Sequence, residues 1–197
     1  MKYVQLAIIL LVGGLFSAVQ AASPKPSGYL SDYKRLTEGE HLEAYWIDLS
    51  QIERVDEPKI LLGEISLSGV KDHKDVKVSD CVAWLKDALL KGVVITDSNA
   101  QKYRLDLAIT HLDPGSAAKR ILAGEFGMGH ALLQIEGKVV YIESGEVVAE
   151  FAERRRSSGA IGIEDLDGHG GRHIFEHLVN LISADINSEL LASFIKR

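Results

Sequence analysis

Near the end of the chain, His173-Ile174-Phe175-Glu176-His177 has residue types and a spacing that can hold a metal. Two histidines four apart on a helix share a face and can both reach one Zn²⁺, with the glutamate between them as a general base. In order they read H-x-x-E-H, the pattern of inverted zinc proteases. His169, just upstream beside Asp165 and Asp167, offers a further donor. Against this, the chain stops at residue 197, whereas such a protease needs another ligand much further on and a larger fold. Surface histidines on a helix are the default reading. A small zinc-dependent hydrolase using His173, Glu176 and His177 is the alternative, and only that reading calls for a cofactor.

A second stretch runs Asp113-Pro114-Gly115-Ser116-Ala117-Ala118-Lys119-Arg120 and continues to Gly124-Glu125-Phe126-Gly127-Met128-Gly129. Backbone N–H groups at Gly124, Gly127 and Gly129, with Lys119 and Arg120, could cradle a phosphate or carboxylate. The glycine order matches neither the Walker loop nor the dinucleotide fingerprint. A tightly folded or mobile connection between two strands is the structural reading, since glycine permits positive φ and close packing.

Arg154-Arg155-Arg156 ends a strand-like segment. Neighbouring strand residues point to opposite faces, so the three cannot make one patch while the strand lasts. A solvated strand end is the default, and contact with anionic lipid headgroups or polyanionic envelope polymers the alternative. Cys81 is the only cysteine, which excludes an intramolecular disulfide. It shares a helical stripe with Val78, Val82, Leu85 and Leu89, so it packs as a small hydrophobe and has no basic neighbour to activate it.

The elements around these residues are legible from periodicity. Lys59–Ser66 reads as a strand with a bulge or close approach at Gly63. A helix follows, capped by Ser79 or Asp80 and closed by Lys91-Gly92. Val93–Thr96 begins another strand, and Arg104–Thr110 alternates with Leu105, Leu107 and Ile109 on one face. His130–Ile142 and Glu146–Arg154 form a β-hairpin reversed at Ser144-Gly145, with Ala131, Leu133, Ile135, Val139 and Tyr141 opposite in parity to Gln134, Glu136 and Lys138. A last helix carries the stripe Phe175, Leu178, Val179, Ile182, Ile186 and Leu190, with Lys196-Arg197 at its negative end. Residues 22–58 read as a linker and docking segment, in which Tyr29, Leu30, Tyr33 and Leu36 line a short turn and Ala44–Ile47 a short strand. The order predicts an α+β domain over 59–197. It is a two-layer sandwich in which a mixed, mostly antiparallel sheet carries two main helices on one face.

The first residues address the chain. Lys2 gives a positive start, Val4–Phe16 an apolar core, and Val19 and Ala21 the small residues that signal peptidase needs, so residues 1–21 read as a signal peptide cut between Ala21 and Ala22. The mature protein is then periplasmic or extracytoplasmic and keeps no transmembrane span. The formal net charge of −6 gives no reason to bind nucleic acid.

The opening segment Ser27-Gly28-Tyr29-Leu30-Ser31-Asp32-Tyr33-Lys34-Arg35-Leu36 resembles a bacterial family of envelope lipoproteins, domain of unknown function 3313. Gly115–Arg120 with Gly124–Gly129, followed by a strand and Ser144-Gly145-Glu146-Val147, is similar to domain of unknown function 4410. The resemblance implies an envelope protein with no assigned catalytic residues. Members often carry a lipid-attachment cysteine, which this chain lacks after its apolar stretch. The expected function is a non-enzymatic binding or assembly component of the envelope. Its expected partner is an envelope protein, or a small anionic ligand held at Lys119 and Arg120.

Overall fold

A computed structural model of the chain describes residues 20–21, 23–73, 76–92, 94–98, 101–116, 130–157 and 170–196. Its strands are β1 (Gln20–Ala21), β2 (Ala44–Ile47), β3 (Ile60–Leu67), β4 (Ile95–Thr96), β5 (Tyr103–Asp113), β6 (Leu132–Tyr141) and β7 (Val147–Arg156). The two main helices are α1 (Val78–Leu90) and α2 (Gly170–Asp185). The chain continues from α2 into a π-turn, Ile186–Leu190, and a 3-10 turn, Leu191–Phe194.

All seven strands join one sheet in the order β1-β7-β6-β5-β3-β4, with β2 pairing β7 beside β1. β3 runs parallel to both β4 and β5, and the remaining pairs are antiparallel. This is the expected α+β arrangement. The β6–β7 hairpin turns where expected: Gly145 takes φ +75° and donates its N–H to the Tyr141 carbonyl at 2.8 Å.

One face of the sheet is apolar, because alternate residues of each strand point the same way. Leu105, Leu107 and Ile109 on β5, Leu133, Ile135 and Val139 on β6, and Phe151 on β7 are fully buried. The helices meet this face through Cys81, Leu85 and Leu89 on α1 and Phe175, Leu178, Val179 and Ile182 on α2, also fully buried. Each such side chain contributes roughly 1.5–3 kcal/mol by leaving water. Opposite Phe151 in the register stands Gly137, whose missing side chain makes room for the ring. A Cβ there would lie 2.2 Å from Phe151 Cε1.

Two local details differ from the sequence expectation. Helix α1 is entered through Lys77 with no side-chain cap of its own; Asp72, six residues before Val78, instead accepts the Val78 N–H at 2.8 Å. The second is that the docking segment covers the polar face of β5–β6–β7, where parity alone places Gln134 and Glu136 on the side away from the core: residues 25–36 lie across it.

Candidate functional site

The strap over the polar face is pinned by buried side chains. Tyr33, in a 3-10 turn (Tyr33–Arg35), donates its hydroxyl proton to Glu136 at 2.5 Å and accepts the N–H groups of Ser27, Gly28 and Leu30. Gly28 reaches that geometry with φ +89°, which favours glycine. Glu136, fully buried, also accepts from Thr110 and from the Gln134 amide. Gln134 in turn bonds both the N–H and the carbonyl of Lys25. Glu150, equally buried, accepts from the backbone and hydroxyl of Ser31 and pairs with Arg35, whose guanidinium lies 3.7 Å above the Trp46 ring. A buried carboxylate left unpaired is costly, so these contacts fix where the strap lies.

Beside the strap opens a polar cleft of about 370 Å³, lined by Tyr29, Glu64, Ser66, Arg104, Asp106 and Lys138. Arg104 grips Asp106 with two 2.8 Å bonds. Asp106 nests against the β3 bulge, where the register shifts between Leu62 and Ile65. That bulge is the one expected at Gly63, and a Cβ on Gly63 would lie 2.0 Å from Asp106 Oδ1. Lys138 stands over the Tyr29 ring at 5.1 Å. Burial first, then the charges of Asp106, Glu64 and Glu136, push the Tyr29 hydroxyl far above its ordinary value, so it stays a neutral phenol.

A second polar cluster lies at the helix side of β7. Glu153 is fully buried and accepts the Glu43 N–H at 2.6 Å. Arg155 approaches it at 2.7 Å, out of line for a hydrogen bond, and donates to Asp185 and to the His41 carbonyl at 2.8 Å each. Burial pushes the Glu153 carboxyl up to about 8, offset in part by the Glu43 N–H and Arg155. Next to it the Glu189 carboxylate accepts three consecutive N–H groups, from Glu40, His41 and Leu42, at 2.6–2.8 Å. Gly39 leaves space for it, since a Cβ would sit 2.4 Å from its oxygens.

The expected site residues fall as follows. His173 and His177 are exposed on α2 and Glu176 is half-buried. Among the described residues no group of three metal-binding side chains assembles. His169, Lys119, Arg120, Gly124, Gly127, Gly129 and Ala22 lie outside the described residues. Gly115, at φ +66°, donates its N–H to Asp113 at 2.8 Å. Ala21 stands in β1 opposite Arg155. Cys81 is fully buried, and burial followed by the Asp80 charge pushes its thiol up to about 12, as an inert core residue requires. The arginines diverge as their parity demands, Arg155 toward α2, but Arg154 is buried rather than solvated. The sequence reading missed Glu136, Glu150 and Glu153 as buried anchors. The one local hint was a tyrosine- and serine-rich opening segment able to satisfy carboxylates.

No family model and no curated protein matches the chain, so the likeness to domains of unknown function 3313 and 4410 remains an expectation of its motifs. Solved structures do align. A PelC variant from Paraburkholderia phytofirmans, crystallised as a dodecamer, is 11% identical with a TM-score of 0.41, covering 71% of this chain and 95% of that one. A Xanthomonas campestris protein of domain of unknown function 330 is 12% identical with a TM-score of 0.46, covering 73% and 93%. A minor lipoprotein from Acinetobacter baumannii is 17% identical with a TM-score of 0.30, covering 64% and 94%. Chains this distant can differ in every functional group. Among the described residues no helix is long and apolar enough to cross a membrane.

Proposed function

We propose that the chain is an exported cell-envelope protein that works by binding, as a non-enzymatic assembly component, and that it pairs an extended segment of another envelope polypeptide with the outer edge of β3. The observation that carries this is the edge itself. β4 pairs only with Ile60 and Leu61, and beyond them no described strand covers Leu62–Leu67. An uncovered edge presents unpaired backbone groups that a partner strand can use. Leu62 and Ile65 are only partly buried there, Leu67 is 48% exposed, and Glu64 is exposed. A partner strand alternating apolar and basic residues fits both features. The connection carrying Lys119, Arg120, Gly124, Gly127 and Gly129 is proposed as a second contact.

The partnered titratable groups support a binding rather than a catalytic role. The buried Glu136 and Glu150 and the half-buried Glu189 are occupied in fastening residues 25–42, and the one thiol is held protonated.

Native mass spectrometry of untagged protein from the periplasmic fraction tests the reading. The expected mass is that of a chain starting at Ala22, without stoichiometric zinc, carrying a partner that Leu67→Asp removes and Glu143→Lys, at the exposed hairpin tip, does not. A chain still starting at Met1, bound zinc, or a partner indifferent to Leu67→Asp would each overturn it.

A further inference from the structure

At the end of the sheet where β5 leaves and β6 enters, the polar face turns basic. Gln134 stands at its centre: it pairs with Arg154 on β7 and with His111 on β5, and its amide holds the backbone of Lys25. Arg156, two residues beyond Arg154, lies on the same side of β7. Four basic side chains from three segments thus gather around one residue, in a chain whose formal net charge is −6.

Arg154 stands apart within this group. It is 6% exposed, and its Nε is buried without a hydrogen-bond partner. Among the described residues, the other buried ionisable side chains each face a partner: Asp106 meets Arg104, Glu136 Tyr33 and Glu150 Arg35, while Glu153 has Arg155 at 2.7 Å although its Oε1 accepts no hydrogen bond. Burial and the neighbouring Arg156 both depress the ionisation of Arg154, and among the described residues no carboxylate opposes them. Burial, Arg154 and Lys25 hold the His111 imidazole below its ordinary value, against Asp113. His130, two residues before β6, likewise keeps a buried Nδ1 without a partner. An uncompensated buried guanidinium is costly, and a polar group left unpaired in a folded protein asks for a ligand. The planar fork of arginine fits phosphate oxygens, and several cations around one point suit a group bearing up to two charges.

We propose that Arg154, with Arg156, Lys25 and His111 around it, binds a phosphate group, carried either by the free anion or by an anionic lipid headgroup. Arg154 and Arg156 lie on β7, three strands away from β3 in the sheet order, and the site does not depend on partner capture at the β3 edge.

The test titrates inorganic phosphate into the exported protein, following the Arg154 Nε–Hε resonance and the melting midpoint. In parallel, flotation compares phosphatidic acid vesicles with phosphatidylcholine vesicles. Phosphate is expected to move the resonance and raise the midpoint. Arg154→Met is expected to melt above the parent in phosphate-free buffer, because the lone buried charge is gone, and to stop responding to phosphate. A purely structural arginine gives the opposite sign, a lower midpoint. The double substitution Lys25→Ser and Arg156→Gln, at side chains that are not buried, should weaken phosphate binding about tenfold or more. Response to free phosphate without flotation assigns the site to the soluble anion; flotation with phosphatidic acid alone assigns it to the headgroup. No response in either arm, or affinity unchanged in both variants, overturns the site.

Discussion

Replacing Glu153 by glutamine removes one titrating group from a crowded acidic point beside β7. Glu43, Glu153 and Asp185 share the single guanidinium of Arg155, and all three carboxyls are raised, by burial first in each case. Glu153 is the most enclosed, so it keeps its proton longest, with its carboxyl moved from 4.5 to about 8. A raised carboxyl binds more protons folded than unfolded between those two values. Stability is therefore fully present below the unfolded value and lost as pH rises through the folded one. The full shift corresponds to about 5 kcal/mol. The folded value already contains what Arg155, 2.7 Å away, returns when the group ionises, and about 3 kcal/mol of the loss falls between pH 5.5 and 8.5. Glutamine keeps an acceptor for the Glu43 N–H and cannot ionise. Urea melts at pH 5.5, 6.5, 7.5 and 8.5 read the effect as a falling midpoint at constant slope. The parent should weaken across the series while Glu153→Gln stays nearly flat, with only the smaller contributions of Glu43 and Asp185. A parent midpoint that holds or rises over this range, or parallel curves for the two proteins, would refute the reasoning.

Two further substitutions probe packing and the strap. Gly137→Ala drives a methyl into the Phe151 ring and should cost about 1–3 kcal/mol in chemical denaturation; pairing it with Phe151→Leu should recover part of that, and additive losses would count against the contact. Glu189→Gln turns an amide toward N–H groups that now meet a carboxylate, so trypsin should cut sooner at Lys34 and Arg35, with about 2–4 kcal/mol of stability gone. Burial alone would raise the Glu189 carboxyl, but the N–H groups of Leu42, His41 and Glu40 hold it below the usual range. The Glu189 latch should then persist as pH falls to the ordinary carboxylate range and fail below it, and unchanged proteolysis in the variant would dismiss it.

The sandwich itself was readable, because its signals are local. Two-residue alternation marked β5 and the β6–β7 hairpin, and the stripes Val78–Leu89 and Phe175–Leu190 marked the buried faces of the helices. Gly63 announced its bulge. Periodicity, however, reports which side of a strand is apolar and says nothing about whether the other side meets water. Gln134 and Glu136 look like solvent residues by parity, yet both are buried, because their cover arrives from Lys25 and Tyr33. The cap on α1 was misassigned for a related reason, since Asp72 reaches it from outside the helical pattern. The basic cluster around Gln134 draws on three segments, and no spacing rule links them. The zinc-like string is a case of spacing alone: two of its histidines share a turn, and the described residues bring no third donor to them.

The anchors of the N-terminal strap sit far downstream of it, in the β6–β7 hairpin, and that of residues 40–42 near the end of the chain. Tyr33 waits for a residue 103 positions downstream, and Glu40 for one 149 positions downstream. A chain delivered from its N-terminus therefore has nothing to fasten the strap to until β6 and β7 have arrived, and nothing for residues 40–42 until Glu189 has. Contacts of such long range close last and slowly. Assembly order is thereby written into the geometry: a molecule caught halfway through delivery remains open at its leading end, and only the finished polypeptide can lock.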